Sequence, residues 1–247
     1  METTRPGEHP VLKKMVQKLT QVLGDRLSSI VLYGSATRGD FHEGTSDFNL
    51  LIVLRDLHPG TLELLTDPVL HWERQRQPAP LIFSGAMVID AADVFPIEFL
   101  DIKRYRKVLH GPDPFESLKV DPSHLRLQCE RELREKMMRL REGYIECHKR
   151  PRRLKSLLTD SYTTFVALFR GCLHLLGGEV PVHNVEVVSA FCDRAGLDPT
   201  PFEDVDRLKR GESVAGDPKE IFSRYYGELT KAVGAVDRFE ERKGGES

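Results

Sequence analysis

Hydrophobic positions in the first part of the chain change their spacing, which predicts a mixture of helices and strands. Between residues 11 and 23 they recur every three or four positions, the pattern of an amphipathic helix. The runs at residues 30–33 and 47–54 are short and mostly apolar, as in buried strands. A helix is predicted at about residues 61–76, and a further short strand at 81–83.

The second half of the chain shows helical spacing only, which predicts an all-α bundle. Two long apolar stripes are separated by Pro151, and shorter ones follow at about residues 184–195 and 201–209. The sequence from Asp217 to Glu220 combines an N-cap aspartate, a proline at the first helical position and a glutamate at the third. This pattern predicts the start of the last helix.

A glycine and two prolines within residues 111–114 end the mixed region. We place the domain boundary at residue 118, which gives a mixed-sheet domain at 1–118 and a helical bundle at 119–247. The predicted fold class is therefore α+β.

Residues suited to phosphate and metal binding stand between the first two predicted strands. The first strand runs into Gly34 and Ser35, which predicts a turn into a helix N-terminus, where backbone N–H groups attract phosphate. Asp47 and Asn49 open the second strand, and strand alternation puts both on one face. Side-chain oxygens of this kind hold Mg²⁺. The alternative is a plain hairpin with a solvated Asp and Asn at a strand start.

The order Gly34-Ser35, eleven residues, then Asp47-Phe48-Asn49 resembles the signature of the polymerase-β-like nucleotidyltransferase superfamily. In that family the second motif is Asp-x-Asp, so Asn49 stands where the second acid is expected. The resemblance covers roughly the first half of the chain. It implies that the serine and the turn backbone hold the nucleotide's β- and γ-phosphates, and that two carboxylates share two Mg²⁺ ions. It also implies a third acid on a later strand.

Glu98 is our candidate for that third metal ligand. The segment from Val94 to Ile102 alternates as a strand does, and it places Glu98 among apolar neighbours. A half-buried carboxylate is costly unless a cation or a hydrogen bond compensates it. The alternative is an edge-strand glutamate paired with a neighbouring Lys or Arg. Three other acids come next as candidates, namely Asp101, Asp90 and Asp93.

The resemblance implies transfer of a nucleoside monophosphate from a nucleoside triphosphate to an unidentified acceptor, by a two-metal mechanism with Mg²⁺ or Mn²⁺. Asp47, Asn49 and Glu98 should then converge on one cleft, and Arg38 should face the phosphates with Ser35. The Asn49 amide brings no charge, so the metal cage is weaker than the family's usual one. The alternative is a catalytically weakened module of the same fold that binds a nucleotide or a partner.

Two basic segments are candidates for anion binding. Residues 103–107 read KRYRK and could neutralise a triphosphate, while residues 148–155 read HKRPRRLK and straddle a helix junction. Cations at a helix N-terminus oppose the helix dipole, so Arg152 and Arg153 are not explained by local stability. An anion or an acidic partner would explain them. The alternative is a solvated charged surface.

The helical half resembles two kinds of domain. Bundles of the HEPN type carry Arg and His separated by four to six residues, but Arg170 and His174 have three between them, so that match fails. The bundles attached to antibiotic nucleotidyltransferases contribute a general base from the second domain. The residues that could be such a base are Glu130, Glu132, Asp160 and Glu186.

Composition restricts the possible partners, redox state and location of the protein and leaves the predicted fold unchanged. The net charge of −2 gives no general argument for nucleic acid as a partner. The four cysteines lie far apart, which predicts reduced thiols and neither a disulfide framework nor a zinc site. The first ten residues lack an apolar signal core, and no apolar run reaches eighteen residues, so we expect a cytoplasmic protein with no membrane span. The expected ligands are a triphosphate and a small-molecule or protein acceptor.

Overall fold

The computed structural model describes residues 9–38, 47–176 and 179–238, and the side chains of Ser35, Arg38 and Arg238 lie outside that description. The chain divides into two compact units, Met1–Asp121 and Pro122–Ser247. The first unit combines a β-sheet with helices, and the second is helical. The predicted α+β class is confirmed.

Four strands form one sheet within the described residues of the first unit. They are β1 (Leu27–Tyr33), β2 (Asn49–Leu54), β3 (Leu81–Ser84) and β4 (Arg106–His110). Their order is β3-β2-β1-β4. Strand β1 is antiparallel to both β2 and β4, whereas β2 and β3 are parallel and need a crossover connection.

Helices cover both faces of this sheet. In chain order they are α1 (Pro10–Leu23), α2 (Ser35–Arg38), α3 (Pro59–Glu63), α4 (Thr66–Arg74), α5 (Gly85–Asp90) and α6 (Pro96–Arg104). Leu50 and Ile52 of β2 pack in one apolar cluster with α1 and with Trp72 of α4. Leu51 and Val53 point to the other face and pack with α5 and α6. Alternation along β2 therefore builds two cores, one on each face.

The strand predicted from Val94 to Ile102 is wrong, because these residues contain helix α6. Pro96 occupies the first helical turn, where its missing N–H costs nothing. Phe99 and Ile102 are buried three positions apart, which is helical spacing, and Glu98 is exposed. The predicted helix at 61–76 is also divided, into α3 and α4.

Strand β4, which the sequence analysis missed, lies within and after the basic segment 103–107. Arg106 binds the carboxylate of Asp113 through two nitrogens, with Nε–Oδ1 at 2.9 Å and Nη2–Oδ2 at 2.5 Å. The turn that follows β4 is tied to β1, because the Ser29 hydroxyl donates to the Pro112 carbonyl at 2.6 Å. Gly111 has a positive φ of 73° in this turn. The Arg106–Asp113 pair therefore fixes the exit of an edge strand.

The helical unit follows its predicted pattern closely. Its helices are α7 (Pro122–Cys147), α8 (Pro151–Leu175), α9 (Asn184–Ala195), α10 (Thr200–Lys209) and α11 (Pro218–Arg238). The predicted start of the last helix is confirmed, since the Glu220 amide donates to Asp217 Oδ1 at 3.0 Å and Glu220 Oε2 accepts from the Asp217 amide at 3.2 Å. All four cysteines are buried free thiols, as predicted.

Arg170 is a buried structural residue in the middle of the bundle. Its guanidinium donates to the Val182 carbonyl at 2.8 Å and to Asn184 Oδ1 at 2.7 Å, so it fixes the entry to α9. Beside it, Phe169 stacks on Phe191 with ring centroids 4.0 Å apart. Within the described residues, no helix is both long enough and apolar enough to cross a bilayer.

The Arg106–Asp113 pair predicts a pH-dependent loss of stability. Partial burial by itself raises the pKa of Asp113, but hydrogen bonds from Arg106 and the Phe115 amide outweigh it and leave the pKa below its usual range. The pair therefore contributes fully above the unfolded pKa of about 3.9, and its contribution is lost as pH falls through the lower folded pKa. Asp113→Asn should cost about 1–2 kcal/mol at pH 7, and this difference from wild type should shrink in acid.

Urea unfolding from pH 7 to about pH 2 measures the difference. Asp25→Asn, at an exposed acid in the turn before β1, is the matched control and should follow the wild-type profile. A difference between Asp113→Asn and wild type that stays constant with pH would contradict the assigned pair.

Candidate active site

The turn after β1 is built around Gly34 and Thr37. Gly34 has a φ of +83°, and α2 begins directly after it, as the Gly-Ser motif predicted. The Thr37 amide donates to the Gly34 carbonyl at 3.0 Å. The Thr37 hydroxyl lies 2.8 Å from the same carbonyl and 2.6 Å from the carbonyl of Tyr105. Thr37 therefore ties the turn to the segment that precedes β4, a role that the sequence analysis missed.

Asn49 packs directly against this turn. It pairs with Tyr33 in the β1–β2 register, and a Cβ atom added to Gly34 would lie only 2.8 Å from Asn49 Nδ2. Glycine is required here twice, by the positive φ and by the lack of space for a side chain. The two parts of the motif thus meet in the folded chain, although residues 39–46 between them lie outside the described residues.

Alternation around Asn49 sets the direction of its neighbours. Phe48 is buried against the ring of His9, with centroids 5.0 Å apart, and Leu50 is buried on the same face. Asn49 is half-buried and shares its face with Leu51, while Asp47 is exposed just before the strand. An exposed carboxylate and a half-buried amide therefore stand at the start of β2.

Gln77 holds the backbone between these two side chains. Its Oε1 accepts a hydrogen bond from the Phe48 amide at 2.7 Å, and its Nε2 donates to the Gln75 carbonyl at 3.3 Å. The residue lies just before β3, the parallel neighbour of β2. This role of Gln77 was not predicted, because a glutamine before a Pro-Ala-Pro segment carries no periodic signal.

The neighbouring strand does not supply a third acid. Strand β3 reads LIFS and contains no carboxylate. Glu98 lies instead on α6, which packs through Phe99 and Ile102 on the sheet face that carries Leu51. The predicted half-buried strand position of Glu98 is therefore wrong, and its assignment as a metal ligand stays a prediction. Within the described residues, no group of three or more His, Cys, Asp or Glu side chains could hold a metal ion.

The oxygen donors at the start of β2 suit a magnesium ion that is shared with a ligand. Asp47 offers a carboxylate and Asn49 an amide oxygen, which are hard donors of the type Mg²⁺ prefers. Two protein donors with one formal charge leave most of the coordination shell to water or to phosphate oxygens. This donor set fits a metal that arrives with a nucleotide better than a permanently bound metal.

The basic segment at 103–107 is partly committed to the fold. The Lys103 ammonium donates to the Leu118 carbonyl at 2.5 Å, and Arg106 binds Asp113. The Arg104 guanidinium lies 5.2 Å from the centroid of the Tyr105 ring. Arg104 and Lys107 are exposed, so these two are the cations of the segment that a soluble anion can reach.

Tyr33 lies between the start of β2 and the start of β4 in the sheet. It is the last residue of β1 and pairs with Asn49 on one side and with Arg106 on the other. Burial raises the pKa of Tyr33, so its phenol stays protonated at neutral pH. The Tyr33 side chain therefore adds no negative charge beside Asn49.

Two of the four acids considered as a base have ion-pair partners in the helical unit. Glu130 pairs with Arg126 at 2.8 Å, and Glu132 pairs with Lys136 at 3.1 Å. Asp160 lines a groove beside α10, and Glu186 lies in the first turn of α9. Their assignment as a general base stays a prediction.

No protein-family model matches this sequence, and no curated protein matches it. Among solved structures, the chain is similar to spectinomycin adenyltransferase AAD(9) from Enterococcus faecialis, which was solved with ATP and spectinomycin. The TM-score is 0.53 at 13% sequence identity, over 91% of this chain and 99% of that one. Likeness at this identity establishes the fold, an α+β nucleotidyltransferase fold with a helical C-terminal region.

The Gly34–Asn49 contact predicts that Gly34→Ala destabilises the protein. The positive φ alone should cost about 1–3 kcal/mol, and the new methyl group must also displace the Asn49 amide. Thermal and urea unfolding measure the loss. Gly60→Ala is the matched control, because that glycine lies in α3 with open space around it and should tolerate the change.

The double variant Gly34→Ala/Asn49→Ala separates the two effects. It should recover the part of the loss that comes from the collision with the amide and keep the part that comes from φ. Equal stability of Gly34→Ala and Gly60→Ala would show that the turn does not constrain residue 34.

Proposed function

We propose that this chain is a nucleotidyltransferase that moves a nucleoside monophosphate from a nucleoside triphosphate to an acceptor, with release of pyrophosphate. The observation that carries the proposal is the contact of Asn49 with the Gly34 turn, beside the exposed carboxylate of Asp47. The fold supports it, since the similar structure is an adenyltransferase solved with ATP and a small molecule. In this proposal residues 1–118 are the nucleotidyltransferase domain and residues 119–247 are the helical bundle domain.

Each site residue has a role in the proposal. The backbone N–H groups that follow Gly34 bind the triphosphate, together with Ser35 and Arg38. Asp47 and Asn49, with Glu98 as the further ligand, hold Mg²⁺ or Mn²⁺. The bound ion supplies positive charge that neutralises the phosphates and the leaving pyrophosphate.

The group transfer is an exchange of one phosphorus–oxygen bond for another. An acceptor oxygen bonds to the α-phosphorus, the bond from that phosphorus to the bridging oxygen breaks, and pyrophosphate leaves with the electron pair. The acceptor proton passes to a base or to solvent. A small molecule is the first acceptor class to test, because the similar structure was solved with spectinomycin.

Triphosphate binding should depend on both the metal and Asp47. Titration calorimetry with ATP should give weak binding in EDTA and at least about tenfold tighter binding with Mg²⁺, because the ion would offset the repulsion between the Asp47 carboxylate and the phosphates. Asp47→Ala should abolish the gain that comes from Mg²⁺ and leave the weak metal-free binding. Asp25→Ala, at the opposite end of β1, removes one exposed carboxylate and should behave as wild type.

Equal affinity with and without Mg²⁺ would remove the metal from the proposal. Absence of any ATP binding would remove the nucleotide.

A second candidate function is a binding module without transfer activity. Two observations favour it: an amide stands at position 49 where the family has an acid, and β3 contains no carboxylate. Such a module would keep the turn that binds phosphate but hold the metal too weakly for transfer. Asn49 is the residue that separates the two functions.

Asn49→Asp should strengthen Mg²⁺ binding, because it adds a carboxylate of nearly the same shape beside the ion. An added charge next to a divalent ion is worth several kcal/mol before desolvation and screening reduce it, so about a tenfold gain is expected. If the chain is a transferase, the rate should rise as well, and the wild type should work best with Mn²⁺. Transfer of label from α-³²P-labelled triphosphates to candidate acceptors, or to the protein itself, measures the rate.

Tighter metal binding without any transfer by Asn49→Asp would favour the binding module. A wild type faster than Asn49→Asp would show that Asn49 is a working ligand and that the charge argument is wrong.

A further inference from the structure

A groove on the helical unit lies between α8 and the end of α10 and has a volume of about 360 Å³. We call it the cationic groove and define it by six of the polar side chains that line it: Arg152, Lys155, Ser156, Asp160, Thr163 and Lys209. The first five recur at helical spacing along one face of α8, and Lys209 comes from the last residue of α10. The sequence 148–155 thus contributes two of its cations to a concave site.

The two cations at one end of the groove lack compensation within the protein. Among the described residues, neither Arg152 nor Lys155 has a carboxylate within ion-pair distance or a hydrogen bond from its charged group. Cations in α7 behave differently, since Arg126 and Lys136 each pair with a glutamate four residues away on the same helix. No acid occurs anywhere in residues 148–155.

The position of these cations also opposes the stability of their own helix. Helix α8 begins at Pro151, so Arg152 lies in its first turn and Lys155 follows one turn later. The positive end of the helix dipole disfavours cations there and favours an anion. A bound anionic group would relieve both the dipole and the repulsion between the two side chains.

The other end of the groove is polar and carries both charges. The Lys209 ammonium donates a hydrogen bond to the Thr163 hydroxyl, which joins α10 to α8. Asp160 stands eight residues after Arg152, about 12 Å further along the helix axis. Its carboxylate has no ion-pair or hydrogen-bond partner among the described residues. A ligand that is anionic throughout would be repelled here, whereas a hydroxyl or ammonium group would be accepted.

We propose that the cationic groove binds a phosphorylated small molecule that also carries hydroxyl or amino groups. The phosphate binds to Arg152 and Lys155, and a hydroxyl or amino group donates to Asp160. The volume is in the range of small-molecule sites and suits a ligand the size of a sugar phosphate. The proposal uses residues of the helical unit alone and does not rest on the proposed function.

Calorimetry on the full chain without divalent metal tests the site with three probes, namely inorganic phosphate, glucose 6-phosphate and glucosamine 6-phosphate. Affinity should rise in that order, because each probe adds groups that can reach Asp160. Lys155→Ala should weaken all three probes about tenfold, the effect expected for loss of a charged hydrogen bond. Asp160→Asn should leave phosphate binding intact and abolish the advantage of the amino sugar over glucose 6-phosphate.

Lys149→Ala is the matched control, because Lys149 is an exposed lysine of the same basic run that does not line the groove. It should bind all three probes as the wild type does. Asp47→Ala should do the same, so failure of the nucleotide proposal cannot be mistaken for failure of this one. Melting temperatures of the variants verify that these exposed substitutions leave the fold intact.

Three results would overturn the proposal. The first is absence of binding of every probe at millimolar concentration. The second is an equal loss for Lys149→Ala and Lys155→Ala, which would indicate a diffuse charge effect. The third is tighter binding of a single-stranded RNA oligonucleotide that weakens equally with Lys149→Ala and Lys155→Ala, which would indicate a nucleic-acid surface.

Discussion

The close approach of the Asn49 amide to Gly34 is the constraint on which the candidate site depends. It brings the start of β2 against the turn that precedes α2. The space between them is too small for a Cβ atom on Gly34. The Thr37 hydroxyl fixes the same turn by contacting the carbonyls of Gly34 and Tyr105, and Gln77 fixes the backbone at Phe48. The geometry at this turn therefore comes from local contacts of small and neutral groups.

Sequence patterns predicted the elements whose periodicity was long or unambiguous. The helical half belongs to this class, because two long apolar stripes and the Asp217–Glu220 cap leave little choice of boundaries. The error at 94–102 has a simple cause. Apolar residues at 95, 97 and 99 alternate by chance, but the buried pair is Phe99 and Ile102, and Pro96 suits the first turn of a helix.

The candidate site was predicted only where its residues belong to one local motif. Gly34 and Asn49 were found because their spacing is characteristic, whereas Thr37, Gln77 and Tyr33 act through backbone contacts that leave no spacing signal. The two basic segments looked alike in sequence and differ in structure. In the first, Arg106 and Lys103 bond within the fold, and in the second, Arg152 and Lys155 line a groove. Charge density alone could not distinguish cations that bond within the fold from cations that line a groove.

The strand order has a consequence for the way this unit forms during synthesis. Strand β1 lies between β2 and β4, yet β4 follows it by about seventy residues, so its second edge must wait for a distant partner. Until that partner leaves the ribosome, the hydrogen-bonding groups of β1 on that side are open to any other extended chain. This edge of β1 is covered once β4 has paired with it, the Arg106–Asp113 ion pair has formed and the turn at Gly111 has packed against β1. That edge of β1 therefore stays without its partner until most core residues of the first unit have already been synthesised.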